Sequence, residues 1–198
     1  MQPIVFDMLD TLLDESAMYR KFYSCISKKY SLGFEPQDFV KRFFECEHKR
    51  IAANSKKQFK EIVKEAYLEL VKGADAKDME ILFDLHKEMA FLPGIKEMLI
   101  KLDNKRQFFI LTNCSNDLVK SIGISSKSPV KFQKIFTSED NGVYKPNPHS
   151  YQIVVDYIGK PVNKIIYCSS NIWDLIASRK FGFNSKSVEE LKDFANLS

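Results

Sequence analysis

The sequence predicts an α/β fold: a doubly wound, mostly parallel sheet that carries an all-helical lobe inserted after its first strand. Three observations predict it. A short apolar run, PIVF at 3–6, stops at a cluster of aspartates, Asp7, Asp10 and Asp14. From about 16 to 90, apolar residues recur only at helical spacing. After Pro93-Gly94, apolar runs of strand length alternate with amphipathic stretches, the grammar of βαβ units.

Each element follows in order. PIVF reads as a buried strand ending at Asp7. Phe22, Tyr23, Ile26 and Tyr30, then Phe39, Phe43 and Phe44, then Ile62, Val63, Ala66 and Leu70, then Ile81, Leu82, Leu85 and Met89 mark successive helices. Gly33-Phe34-Glu35-Pro36 and Gly73-Ala74-Asp75 punctuate them. IKEMLIKL (95–102) reads as a helix and FFILTN (108–113) as a strand with a polar end. SNDLVKSIG (115–123) reads as a helix, KIFTSED (134–140) as a strand and PHSYQIVVDYIG (148–159) as a helix. KIIYCSS (164–170) is a strand and IWDLIASRKFG (172–182) a helix; Phe183 opens a last short strand and VEELKDFANL (188–197) closes as a helix. The expected division is a Rossmann-like core of residues 1–14 and 91–198 and a helical cap of 15–90.

Composition narrows the functional classes. With 198 residues, 44% of them hydrophobic, the chain is long enough to hold a core without disulfides. Cys25, Cys46, Cys114 and Cys168 form no C-x-x-C pair and read as free thiols in a reducing compartment. No charged-then-apolar leader and no membrane-length apolar run stands in the sequence, so a cytoplasmic protein is expected. The net charge of +4 is mild and the basic residues are dispersed, which indicates neither nucleic acid nor a membrane and is compatible with small anionic substrates.

In an open parallel sheet, ligands bind at the carboxyl ends of the strands. Those ends carry Asp7, then Thr112-Asn113-Cys114-Ser115, then the loop EDNGVYKPNPHSY (139–151), then Ser169-Ser170-Asn171 with Asp174 one turn further on. Each has an ordinary explanation. Asp14, Thr112, Asn113 and Ser115 suit helix caps and turns, Lys145 a solvated loop, Trp173 packing and Asp174 a helix dipole. Their coincidence at four strand ends points to one reactive crevice.

These residues resemble the haloacid dehalogenase superfamily along essentially the whole chain, and within it the 2-haloacid dehalogenases. Asp7-x-x-x-Thr11-Leu12 is similar to the first motif, ILTN (110–113) to the second, VYKP (143–146) with Tyr151 to the third, and SSNIWD (169–174) to the fourth. The sister phosphatases typically carry D-x-D at the first motif and G-D-x-x-x-D at the fourth. Here Leu9 stands at the second acid's place, and Ser169-Ser170 where G-D would be. A missing general acid hurts phosphoryl transfer, whereas halide departs without a proton.

The resemblance implies dehalogenation of short 2-haloalkanoic acids to 2-hydroxy acids through an aspartyl ester on Asp7. It implies that Thr11, Thr112, Lys145, Ser169, Asn171 and Asp174 assist Asp7, and that Leu9, Asn113, Tyr151 and Trp173 lie at or near the substrate. Arg42, with Lys41 and Arg50 behind it, is the candidate cap arginine; Phe44 and Phe59 suit either the halogen pocket or the core. No cofactor is implied. The alternatives are a Mg²⁺-dependent phosphatase with the ion on Asp7 and Asp174, and a catalytically impaired binding protein. The implied partners are a small anionic substrate and, from the habit of such proteins, a second copy in a homodimer. Two positions depart from the dehalogenase pattern: Leu9 where a tyrosine is usual, and Asp10 where a glycine lets the backbone bend.

Overall fold

In chain order the elements are β1 (Gln2–Phe6), α1 (Glu15–Tyr30), α2 (Pro36–Ala52), α3 (Phe59–Leu70), α4 (Asp78–His86), α5 (Ile95–Asp103), β2 (Arg106–Leu111), α6 (Asn116–Ile122) and α7 (Ile124–Lys127). There follow β3 (Phe132–Phe136), α8 (Ser138–Asn141), α9 (Pro148–Ile158), β4 (Ile166–Cys168), α10 (Ile172–Phe181), β5 (Asn184–Lys186) and α11 (Val188–Leu197). The computed structural model describes residues 2–53, 56–103 and 106–197; residues 1, 104, 105 and 198 of the expected core and 54 and 55 of the expected cap lie outside them.

Two units emerge, one of Met1–Asp14, Ala90–Cys114 and Gly123–Ser198, the other of Glu15–Met89 and Ser115–Ile122. The first holds a sheet in the order β3-β2-β1-β4-β5, with every pairing parallel. β1 is central because Ile4, Val5 and Phe6 are all fully buried, as befits a strand covered on both faces. On one face Val5 joins Phe109, Leu111, Phe136, Tyr151, Val154, Ile165, Tyr167 and Phe183 in a single apolar cluster. Elsewhere the Phe6 ring meets Phe108 and Phe132 at centroid separations of 5.9 and 6.5 Å.

The order places β1 beside β4, and the chain winds away from that pair in both directions. This is the switch point of an open sheet, where a crevice forms beyond the strand ends. Register finishes the alignment. Phe6 pairs with Cys168, so Asp7 and Ser169 leave the sheet side by side.

Three strands differ most from the sequence expectation, and the last strand begins at Asn184 rather than at Phe183. The predicted strand over 134–140 ends at Phe136 and turns into α8, because the Thr137 hydroxyl oxygen accepts the Asp140 N–H at 3.1 Å and caps a helix there. The predicted strand over 164–170 shrinks to Ile166–Cys168, preceded by a 3₁₀ turn at Val162–Lys164. The strand predicted over 108–113 begins at Arg106 and stops at Leu111, just past which the Thr112 N–H still donates to the Phe136 carbonyl at 2.9 Å.

The second unit is all helical. Its core is aromatic: Tyr19, Phe22, Phe39, Phe43 and Tyr67 are fully buried, with Tyr19 and Phe43 centroids 4.4 Å apart. Losing such a ring costs about 3–5 kcal/mol. Asp78, buried at the start of α4, accepts bonds from Tyr30 (2.5 Å), Tyr67 (2.8 Å) and Lys29 (2.8 Å), tying α1 and α3 to α4. Segment Ser115–Ile122, which contains α6, groups with these helices. Among the described residues, no helix is long and apolar enough to cross a membrane.

Candidate active site

The crevice of the α/β unit is built around two buried carboxylates and one buried ammonium. Asp7 leaves the end of β1, with its N–H donating to the Cys168 carbonyl at 2.9 Å. Asp174 sits in the first turn of α10 and is fully buried. Lys145 comes from the loop between α8 and α9, and only 1% of it is exposed. Its Nζ donates to Asp7 Oδ1 at 2.8 Å and to Asp174 Oδ2 at 2.7 Å.

The ordinary reading of Lys145 as a solvated loop lysine therefore fails. Asn113, at the end of β2, accepts the Lys145 N–H through Oδ1 at 2.8 Å and donates from Nδ2 to the Lys145 carbonyl at 3.3 Å. Asn147 then caps α9 by accepting the His149 N–H at 2.9 Å, with Pro148 in the first turn.

The two oxygens of Asp7 are unlike. Oδ2 accepts from Thr11 Oγ1 at 2.8 Å, Asn171 Nδ2 at 2.7 Å and Ser169 Oγ at 3.3 Å. Oδ1 accepts from Lys145. The hydroxyl donors around Oδ2 are themselves aimed by main chain. Thr11 Oγ1 accepts the Ser170 N–H at 3.0 Å, and Ser169 Oγ accepts the Asn171 N–H at 3.1 Å. Asn171 Nδ2 also reaches the Leu9 carbonyl at 3.4 Å.

Electrostatics follow from burial. Desolvation alone would lower the Lys145 ammonium, but attraction to Asp174 and Asp7 outweighs it and holds the group above its ordinary range. Burial, together with the same two carboxylates, pushes the Tyr167 phenol far up, so it stays neutral. Burial beside Asp7 also pushes the Cys168 thiol up, which makes it an inert neighbour.

Of the residues singled out in the sequence, Asp7, Thr11, Asn113, Lys145, Tyr151, Ser169, Asn171 and Asp174 form one hydrogen-bonded network. Tyr151 donates to Asp174 Oδ1 at 2.6 Å. The Trp173 ring lies 5.7 Å from Lys145 Nζ, within cation–π range. Thr112 Oγ1 accepts the Cys114 N–H at 3.2 Å, a turn bond that opens the segment after β2. Leu9 and Asp10 are half-buried in the loop beyond Asp7, and Asp10 takes a φ of 53°.

Arg42 belongs to the helical unit, on α2, with its guanidinium 5.2 Å from the Phe34 ring centroid. Arg50 pairs with Glu65 and Glu69 of α3. Phe59 is buried in the helical core, and Phe44 packs edge-on against Tyr19. The residue that sequence reasoning passed over is Tyr167. Its hydroxyl accepts from Lys145 Nζ at 3.1 Å and donates to Asp174 Oδ2 at 2.8 Å. Its signal was a tyrosine inside an apolar strand, whose buried hydroxyl must find partners.

A divalent cation does not fit this donor set. Mg²⁺ needs oxygen ligands in near-octahedral array at about 2.0–2.1 Å. The ammonium of Lys145 already occupies the bridging position between Asp7 and Asp174. Among the described residues no group of three or more acidic, histidine or cysteine side chains could hold a metal.

A family model described as haloacid dehalogenase-like hydrolase matches residues 4–188. The chain is similar to (S)-2-haloacid dehalogenase 4A of Burkholderia cepacia, 32% identical over 108 residues that cover 54% of this chain and 47% of that protein. It thus spans about half the length of that curated relative. A crystal structure of a dehalogenase with an intermediate complex superposes with a TM-score of 0.82 at 22% identity, covering 100% of this chain and 96% of that one. The L-2-haloacid dehalogenase of Xanthobacter autotrophicus with chloropropionic acid covalently bound gives a TM-score of 0.74 at 17% identity, covering 93% of this chain and 76% of that one. At these identities the structural likeness shows the shared fold.

Proposed function

The chain belongs to the haloacid dehalogenase-like hydrolase family, and from that premise we propose that it hydrolyses short 2-haloalkanoic acids to 2-hydroxy acids through an ester on Asp7. The observation that carries the reading is the Lys145 ammonium lodged between the Asp7 and Asp174 carboxylates. It sets a positive charge 2.8 Å from Asp7 Oδ1 without a metal.

The unequal oxygens of Asp7 assign the steps. Oδ1 attacks C2 of the substrate in line, and the carbon–halogen bond breaks with its electron pair going to halide. Configuration at C2 inverts, because carbon is displaced once. Oδ2 becomes the carbonyl oxygen of the resulting ester. Water then attacks the carbonyl carbon, and negative charge gathers on Oδ2. Thr11, Asn171 and Ser169 already aim their donors there, an oxyanion hole assembled before the reaction starts. Lys145 faces the bridging Oδ1, which leaves as the hydroxyl of the product. Water contributes one proton to that hydroxyl and one to solvent, and Asp7 returns as a carboxylate.

The phosphatase alternative lacks support on two counts: the bridging cation is a lysine, and the position of the second acid of D-x-D is Leu9. Halide release from 2-chloropropionate, measured with and without EDTA, tests the proposal. It predicts release that EDTA leaves unchanged and Asp7→Asn abolishes. Absence of halide from every 2-haloacid offered contradicts it.

A further inference from the structure

An ammonium has three hydrogens to give, and in Lys145 each has a named acceptor. Asp174 Oδ2 takes one at 2.7 Å, Asp7 Oδ1 one at 2.8 Å and the Tyr167 hydroxyl one at 3.1 Å. Lys145 therefore has no hydrogen left over for the halide or for a substrate carboxylate. Its place in the reaction is set by these three contacts.

We infer that Tyr167 is a positioning residue: its hydroxyl takes the third ammonium hydrogen of Lys145, donates its own to Asp174 at 2.8 Å, and so fixes the ammonium against the attacking oxygen of Asp7. The consequence for turnover rests on the dehalogenase reading above; the positioning itself does not.

The ring and the hydroxyl of Tyr167 do separate jobs. The ring packs in the apolar cluster, with centroids 5.8 Å from Tyr151 and 5.3 Å from Phe183. A phenylalanine would fill that space equally well. The hydroxyl hydrogen-bonds both the loop lysine and Asp174 of α10. The groups that face the ammonium or its partners are Asp7 from the end of β1, Asp174 from α10, Tyr167 and Cys168 from β4, and Tyr151 from α9 through Asp174. Tyr151 bonds the other oxygen of Asp174, so it holds the carboxylate without touching the lysine.

Without the Tyr167 hydroxyl, the ammonium keeps two carboxylate partners and loses its third. Lys145 becomes a weaker base and its direction is less constrained. Substrate binding is expected to change little, because Tyr167 is fully buried.

The test is Tyr167→Phe in the full chain, read in two ways. The first needs no substrate: NMR titration of isotopically labelled lysine follows the Lys145 amine. Its midpoint falls by about one unit, the size of one hydrogen bond to a charged group. The second is the pH profile of halide release from 2-chloropropionate. The alkaline limb moves down by the same amount, kcat drops about tenfold, and KM stays within about twofold. If the phenylalanine variant does not fold, 3-fluorotyrosine at 167 keeps the shape while weakening the hydroxyl as an acceptor, and the midpoint falls in the same direction. An unchanged lysine midpoint overturns the inference and leaves Tyr167 as packing. A shifted midpoint in a protein that releases no halide keeps the positioning and removes the reaction.

Discussion

Asn113 holds Lys145 by its main chain, its side-chain amide accepting the lysine N–H at 2.8 Å and donating to the lysine carbonyl at 3.3 Å. A loop residue is thereby bound to the end of β2 as firmly as a ladder residue. Asp7 and Lys145 are 138 positions apart in the chain, and this clamp is what brings a mobile kind of side chain to a fixed place. Asn113→Ala removes both bonds and is expected to cost about 2 kcal/mol in urea unfolding. Asn113→Asp is expected to do no better, because its second oxygen would face the Lys145 carbonyl. Both variants lower kcat. Full activity in Asn113→Asp would show that the amide donor is dispensable.

The three donors on Asp7 Oδ2 serve the second half of the proposed reaction. Asn171→Ala removes the shortest of them, at 2.7 Å. Loss of one oxyanion donor slows such a step about 10²–10³-fold. Rapid-quench measurement should then show a halide burst of one equivalent per enzyme, followed by slow turnover as the ester accumulates. A uniformly slow reaction with no burst would place Asn171 in the first step instead.

Asp10 sits at a φ of 53°, in the left-handed region where glycine is at ease and aspartate is among the few other residues tolerated. The backbone therefore makes the bend that a glycine would allow, and aspartate there is compatible with the fold. Asp10→Val places a β-branched residue in that conformation and should be about 1–2 kcal/mol less stable than Asp10→Gly by urea titration. Equal stabilities would mean that the loop relaxes out of this conformation.

His86 is fully buried on α4, its Nδ1 against the Leu82 carbonyl at 2.8 Å. Burial lowers its pKa from 6.5 to about 4, so the unfolded chain takes up a proton first as the solution is acidified. The histidine's contribution is complete above pH ~6.5 and is lost as pH falls toward about 4, a difference on the order of 3 kcal/mol. In His86→Leu the urea midpoint should lose that part of its pH dependence between those values. An identical slope in both proteins would contradict the assignment.

Much of this was written in local pattern. Strands and helices of the α/β unit announce themselves because apolar period and polar strand ends coincide, and the order of the motifs places Asp7, Lys145, Ser169, Asn171 and Asp174 at a common edge. What pattern could not give was direction. Thr137 and Asp140 form a cap that cuts the third strand short, a local bond that competes with extension. Asn113 is aimed at main chain 32 positions away. Tyr167 looked like one more apolar strand residue until its hydroxyl met Lys145 and Asp174. Such contacts depend on strand order and register, which link residues distant in sequence.

The central claim, that Asp7 carries the substrate as an ester, is tested most directly by a single turnover of 2-chloropropionate in H₂¹⁸O with enzyme in excess. The mechanism sends water oxygen to the carboxyl of Asp7 and sends an Asp7 oxygen to the product. The peptide containing Asp7 should gain ¹⁸O while the lactate hydroxyl remains unlabelled. Label in the lactate hydroxyl with an unlabelled Asp7 peptide would mean that water attacks C2 directly, and the ester would have no part in the reaction.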